Sequence, residues 1–144
     1  MDGTTLLSYL PTNTQLYAAN DFWCAPASIP CFVVINTGYL QGPGEHYIGF
    51  YIHADRSISA FDSFGLPPYS CQVEFWSRHG LGPVSYSRQL LQSPLSYMCG
   101  YWQIAFARAI TKGITLEEFV SEFDPTDLDL NDLKVWANLT YVGN

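Results

Sequence analysis

Charge is scarce in this sequence, and positive charge is the scarcer kind. Only 13% of the 144 residues are charged, and six basic residues stand against thirteen acidic ones, for a formal net charge of -7. The basic residues are spread along the chain and form no cluster. A protein that binds DNA or RNA through the phosphates is expected to carry a basic stripe. We therefore expect no nucleic acid among the partners of this chain.

Long apolar runs and closely spaced cysteines are also absent. No run approaches the ~20 apolar residues that cross a bilayer, so we expect no membrane partner. The first residues lack the basic-then-apolar order of a secretory leader. None of the four cysteines, Cys24, Cys31, Cys71 and Cys99, belongs to a CxxC pair. These features favour free thiols in a reducing compartment over a disulfide framework. The histidines and cysteines lack zinc-type spacing, so we expect no metal and no other cofactor.

Apolar and aromatic residues are abundant, at 48% and 16%. This is enough for one core, and we expect a single domain over 1–144. Periodicity and breakers predict helices over 4–10, 98–112, 115–123 and from Asp129 or Asn131 to about 139, and strands over 31–35, 46–52, 57–61 and 84–86. The pattern over 70–78 fits either a helix or a strand, and 41–44 is predicted as a loop.

Cys99 stands at the predicted start of the most apolar helix, and Gln92 lies seven residues before it. A helix N-terminus favours negative charge, and therefore favours thiolate over thiol. A glutamine amide can donate a hydrogen bond to a developing oxyanion. By itself, a cysteine in an apolar helix is more often a small buried hydrophobe, and Gln92 alone indicates nothing. The stretch therefore predicts a nucleophile only if a base and a carboxylate join it.

Residues 53–56 are predicted as a turn that joins the strands at 46–52 and 57–61 into a hairpin, and this hairpin supplies both groups. His46 opens its first strand and Asp62 follows its second, and a hairpin brings its open ends together. In this arrangement His46 would accept the thiol proton and later protonate the leaving amine, while Asp62 would orient the imidazole. A register slip of one residue would put the two on opposite faces. The structural alternatives are a histidine packed before a strand and an aspartate in a turn.

Three blocks of the sequence match a known family in order and spacing. The blocks are Val34–Thr37 with Gly44–His46, then Phe61–Pro68, then Gln92–Gly100. Over about residues 20–140 the chain resembles the adenovirus-type cysteine proteases (adenains), and especially the adenain-like proteases of Maverick/Polinton elements and related viruses. It departs from them at Tyr47, where the family usually has tryptophan, and at Asp62, where adenain has glutamate. SUMO-type proteases share the same order of catalytic residues.

The resemblance implies an α+β fold of the papain-like or adenain-like cysteine protease type. A central mixed β-sheet would pack against the helix that starts at the nucleophile. The resemblance also implies a catalytic set and, beside it, a narrow substrate cleft. The catalytic set is Cys99, His46, Asp62 and Gln92, with the Cys99 main-chain N–H beside Gln92 in the oxyanion hole, and the cleft residues are Tyr47, Gly100 and Gly44.

By the same resemblance, the chain is a cysteine endopeptidase that processes viral or virus-like capsid precursor proteins, cutting after small residues such as glycine. Its expected location is intracellular, in the host cytoplasm or nucleus, or inside the virion. Two alternatives stay open: an isopeptidase for SUMO or another ubiquitin-like modifier, and an inactive protein-binding domain that kept the fold. The need for a peptide activator and the roles of Cys24, Cys31 and Cys71 also stay open.

Overall fold

The computed structural model describes residues 1–18, 28–37 and 46–142, with side chains described through residue 139. Within these ranges the elements are α1 (Gly3–Tyr9), β1 (Gln15–Ala18), β2 (Cys31–Asn36), β3 (Tyr47–Ile52), β4 (Ile58–Phe61), α2 (Ser70–Arg78), β5 (Val84–Tyr86), α3 (Cys99–Thr111), α4 (Leu116–Ser121) and α5 (Leu128–Val142). The strands form one sheet in the order β1-β2-β3-β4-β5. The two outer pairs are parallel and the two inner pairs antiparallel. The predicted α+β fold with a mixed sheet is confirmed.

Both faces of the sheet are covered, which explains the continuous apolar run of β2. On one face Phe61 of β4 packs against Phe106 of α3, with ring centroids 5.1 Å apart. On the other face Phe50 of β3 meets Trp76 of α2 edge-on at 4.9 Å. Burying a side chain of this kind stabilises the fold by about 1.5–3 kcal/mol. The two layers therefore hold β3 and β4, the strands of the predicted hairpin, in one position.

Helix α3, which begins at Cys99, is buried on several sides. Its buried residues include Trp102, Phe106 and Ile110. It packs against β3 on one side and against α4 and α5 on the other. A helix surrounded in this way needs apolar residues nearly all round, as this sequence has. Gly113, with a φ of +91°, follows it in the left-handed conformation that commonly ends a helix.

The structure decides one open alternative and shows one element that was not predicted. Residues 70–78, which fit helix or strand, form helix α2. Strand β1 had no sequence signal: it has four half-buried residues at the sheet edge and pairs with β2. Helix α4 ends at Ser121, two residues before the predicted end, and Phe123 turns in to pack against Trp102 at 4.6 Å.

The predicted start of the last helix is wrong. Helix α5 begins at Leu128, and the Asp127 carboxylate accepts a hydrogen bond from the Leu130 N–H at 3.1 Å. Neither Asp129 nor Asn131 is the cap. Asn131 lies inside the helix, where its buried amide bonds to the main chain of Asp124 at 2.7 and 2.9 Å. Asp127, Asp129 and Asn131 are all residue types that can cap a helix. The contacts of Asn131 with Asp124 place Asn131 inside the helix.

The cysteines with described positions, Cys31, Cys71 and Cys99, are free thiols. Cys24 and the predicted loop at 41–44 lie outside the described residues. None of the helices within the described ranges is both long and apolar enough to cross a membrane. Over residues 1–18, 28–37 and 46–142 the histidine, cysteine and acidic side chains form no group of three that could hold a metal ion.

Candidate active site

The open end of the hairpin brings His46 and Asp62 into contact. His46 immediately precedes β3, Asp62 immediately follows β4, and the pairing of Gly49 with Phe61 sets the register between the strands. The imidazole Nε2 lies 2.8 Å from Asp62 Oδ1. Both residues are buried, with 9% and 3% of their surfaces exposed. The two strands therefore pair in the register that brings these two side chains together.

Both partners of this pair are held by their neighbours. Asp62 Oδ1 also accepts a hydrogen bond from the Phe64 main-chain N–H at 2.8 Å. The Phe64 ring stacks on the His46 imidazole, with centroids 4.5 Å apart and planes 22° apart. Asp62 also opens a tight turn that Gly65 closes, with a φ of +74°. Asp62 is therefore a turn residue, as the structural alternative predicted, and is at the same time the partner of His46.

Cys99 begins α3 and faces the same histidine. Met98 is at the N-cap position of this helix, and its side chain makes no hydrogen bond to the N–H groups of the first turn. Asp62 occupies Nε2 of His46, and the buried Nδ1 has no nitrogen or oxygen partner among the described residues. Nδ1 is therefore the ring nitrogen left for the Cys99 thiol.

The electrostatics of this pair favour thiolate and imidazolium. Burial alone would lower the pKa of His46, but hydrogen bonds and negative charge from Asp62 and Cys99 raise that pKa to about 9. Burial alone would raise the pKa of the Cys99 thiol. The hydrogen bond from His46, main-chain N–H groups and the imidazolium charge outweigh burial and lower the thiol pKa. The two shifts act in the direction of an imidazolium and a thiolate, the reactive form of a cysteine nucleophile.

Gln92 lies beside this pair with its amide held at both ends. Its oxygen Oε1 accepts a hydrogen bond from the hydroxyl of Ser63. Its nitrogen Nε2 donates to the main-chain carbonyl of Ser96 at 3.1 Å and lies 3.2 Å from the Ser96 hydroxyl. The side chain is fully buried. The amide nitrogen therefore lies toward Ser96, in the segment that leads to Cys99.

A cavity of about 410 Å³ opens between these elements. Its lining includes Cys99, His46, Gln92, Tyr47, Gly100, Ser96, Phe64, Tyr97, Asn36 and residues 1–3. Tyr47 and Gly100, both predicted for the cleft, line this cavity, whereas Gly44 lies outside the described residues. Met1 takes up part of the space beside Gly100: a Cβ added there would lie 3.4 Å from Met1 Sδ. The Tyr47 hydroxyl donates to the Met1 carbonyl at 2.9 Å.

Gln103 is a buried polar residue that the sequence analysis did not single out. It lies on α3 four residues after Cys99, and so on the same helix face. Its Nε2 donates to the carbonyls of Tyr47 and Phe61 at 3.2 and 3.0 Å. These are the residues after His46 and before Asp62. A single amide therefore ties the cysteine helix to both strands that carry its partners. Gly49 leaves the space for it, since a Cβ there would overlap Gln103 Oε1.

Replacing Gln103 with methionine should lower the free energy of unfolding by about 2 kcal/mol or more, because two buried carbonyls lose their donor while the side-chain volume is kept. Denaturation by urea measures the change. Gln72→Met is the matched control, because Gln72 is also fully buried but its amide atoms have no partner among the described residues. That control should cost little or should stabilise. Equal losses for both variants would contradict the role given to the Gln103 bonds.

No protein-family model matches this chain, and no curated protein matches it either. Among solved structures it is similar to two crystal structures of the ASFV protease. One matches at 15% identity and a TM-score of 0.58, covering 86% of this chain and 59% of that one. The other, of the selenomethionine protein, matches at 20% identity and 0.52, covering 73% and 42%. The SUMO protease Ulp1 is similar at a TM-score of 0.43, over 76% of this chain.

The chain spans 42% and 59% of the ASFV protease structures it matches, so it corresponds to part of their length. At these identities the similarity concerns the backbone arrangement: the sheet and the helices that cover it. The chain shares the α+β fold of the ASFV protease.

Proposed function

We propose that this chain is a cysteine endopeptidase with Cys99 as nucleophile, His46 as acid and base, Asp62 as the orienting carboxylate and Gln92 as an oxyanion donor. One observation carries the proposal: the His46 ring is held by Asp62 at 2.8 Å, and His46 lines one cavity with Cys99 and Gln92. A structural histidine and a buried cysteine need no such pairing. Support from the fold is independent, since the ASFV neighbours are proteases.

The proposed reaction runs through a thioester. The Cys99 thiolate adds to the carbonyl carbon of the peptide bond, and the carbonyl π electrons move onto oxygen. Gln92 and the Cys99 main-chain N–H donate to this oxyanion. When the carbonyl re-forms, the C–N bond breaks and His46 gives its proton to the leaving amine. Water then attacks the thioester, His46 takes a proton from it, and the acid product leaves with Cys99 again a thiolate.

The substrates we propose are capsid or other virion precursor proteins, inside the host cell or virion, cut after small residues such as glycine. Met1, Tyr47 and Phe64 wall the cavity at the nucleophile, and this supports a preference for small side chains there. A peptide activator is compatible with this proposal.

Incubation with candidate precursor proteins tests the proposed substrate class, with Cys99→Ser as the control. Cleavage that continues in the control would remove Cys99 from the mechanism.

An isopeptidase for SUMO or another ubiquitin-like modifier is the second candidate. The observation in its favour is that Tyr97, which lines the cavity, and Leu95, two residues before it, are each 91% exposed. Large apolar side chains in such positions suit contact with a folded protein. Vinyl probes built on ubiquitin and on SUMO distinguish the candidates. Covalent labelling of Cys99 by either probe would favour the isopeptidase, and absence of labelling beside precursor cleavage would favour the endopeptidase.

The exposed pair Leu95 and Tyr97 should contribute to binding of a protein substrate under either candidate. We expect the double change to alanine to raise KM by roughly 5–30-fold with kcat nearly unchanged, because contacts outside the reacting atoms bind substrate and transition state equally. Steady-state kinetics on the protein substrate measure both constants. Tyr9→Ala is the control: Tyr9 is also exposed, at 55%, but lies outside the cavity lining. A fall in kcat instead would contradict this role.

A further inference from the structure

We propose that Ser63 is a positioning residue for the oxyanion hole. Its hydroxyl keeps the Gln92 amide turned so that the nitrogen, and not the oxygen, lies toward Ser96 and the cavity that they share with Cys99. This inference rests on the proposed function, because the orientation of Gln92 matters to the rate only if Gln92 stabilises an oxyanion. Ser63 itself touches no reacting atom and acts through Gln92.

The orientation of the amide follows from its partners. One end of the Gln92 side chain lies 3.1 Å from the main-chain carbonyl of Ser96. A carbonyl oxygen can only accept, so the nitrogen must be at that end. The amide oxygen is then at the other end, against Ser63 Oγ, and the serine hydroxyl must be the donor. Both side chains are 0% exposed, so solvent cannot replace this bond.

Ser63 also holds Gln92 through the main chain. Its carbonyl accepts hydrogen bonds from the N–H groups of Leu91 and Gln92, at 2.9 and 3.0 Å. Ser63 directly follows Asp62, the partner of His46. The two residues that leave β4 therefore orient both the imidazole and the oxyanion donor. This couples the two halves of the site through one short segment anchored on the sheet.

The bond from Ser63 leaves one amide hydrogen for substrate. One hydrogen of Nε2 is committed to the Ser96 carbonyl, and the nitrogen also lies 3.2 Å from the Ser96 hydroxyl. Gln92, Ser96 and Cys99 line the same cavity. A developing oxyanion is a stronger acceptor than a neutral hydroxyl, so it would displace Ser96 Oγ from the second hydrogen. Without the Ser63 donor, the buried Oε1 is left unpaired and the amide gains by rotating away.

The test compares two reactions of Cys99 in the variants Ser63→Ala, Gln92→Ala, the double variant and a control. The first reaction is hydrolysis of a fluorogenic peptide amide with glycine at the cleaved bond, which passes through an oxyanion. The second is alkylation by iodoacetamide, in which the sulfur displaces iodide and no oxyanion forms. The control is Ser59→Ala, which removes a hydroxyl on β4 that bonds His53 at 2.8 Å, away from the cavity.

We expect Ser63→Ala to slow hydrolysis by roughly 5–20-fold, short of the ~10²–10³ lost with the whole donor in Gln92→Ala. Alkylation should stay within about twofold of wild type, and the double variant should be no slower than Gln92→Ala, because Ser63 acts through it. Ser59→Ala should change neither reaction.

Three results would overturn the inference: wild-type hydrolysis in Ser63→Ala, a Ser63 loss that adds in full to the Gln92 loss, or an equal slowing of alkylation, which would indicate a general structural role. Failure of the proposed function is different, since wild type itself would then show no hydrolysis that Cys99→Ser removes.

Discussion

Replacing Cys99 with serine should abolish peptide hydrolysis, with kcat lowered by roughly 10⁴–10⁶-fold, as when one member of a coupled catalytic set is removed. The proposed nucleophile is a thiolate: burial raises the pKa of the Cys99 thiol, but His46 and main-chain N–H groups outweigh burial and lower it. A serine hydroxyl stays protonated in the same surroundings, so the attacking anion is not formed. Cleavage of the peptide amide, followed by fluorescence, measures the loss.

The control for this substitution is Cys71→Ser, because Cys71 is a free cysteine on an exposed helix position. It should hydrolyse the peptide as wild type does. The free energy of unfolding of Cys99→Ser should also stay within about 0.5 kcal/mol of the wild-type value, since the change is nearly isosteric. Residual turnover of more than a few per cent in a folded Cys99→Ser protein would mean that another group attacks the substrate.

Replacing His46 with alanine should lower kcat by roughly 10³–10⁵-fold, because the acid for the leaving amine and the partner of the thiolate are lost together. The pKa of Cys99 should also rise, since the hydrogen bond and the charge of His46 both lower it. At neutral pH the cysteine would then be mostly thiol. Iodoacetamide alkylation near pH 7 should therefore slow as well, which separates this variant from one that damages only the oxyanion hole.

The matched control is His79→Ala. His79 is exposed, and its Nδ1 lies 2.9 Å from the Phe75 carbonyl at the end of α2. We expect wild-type hydrolysis and alkylation from it. If His46→Ala kept the wild-type alkylation rate, the thiolate would not depend on this imidazole, and the ion pair would have to be abandoned.

Much of the fold and the candidate site follows from local pattern. The hairpin was predictable because a short turn joins two strand-forming runs, and paired strands bring His46 and Asp62 to one end. The start of α3 was predictable because an apolar run follows Met98 and ends at Gly113. The contact of His46 with Cys99 is different in kind. It needs the packing of α3 on the sheet, and only the resemblance suggested it before the structure.

The features that the sequence did not predict depend on residues far apart in the chain. Gln103 bonds to Phe61 across 42 positions, and Ser63 bonds to Gln92 across 29. No spacing rule predicts such a bond, although a glutamine in the middle of an apolar helix marks a buried polar group that needs a partner. Strand β1 was missed for a similar reason. Its four residues are half-buried, and parallel pairing with β2, rather than its own pattern, makes it a strand.

The pH dependence of Cys99 alkylation tests the central claim, a thiolate paired with the His46 imidazolium, most directly. Mass spectrometry can follow Cys99 and the exposed Cys71 in the same molecule. Alkylation of Cys99 should already be fast at pH values below the pKa of ~8.5 of a free cysteine. Its rate should change again as His46 loses its proton, at about pH 9. In His46→Ala the step at lower pH should move to higher pH. A single step at Cys99, coincident with that of Cys71 and unchanged in His46→Ala, would contradict the account.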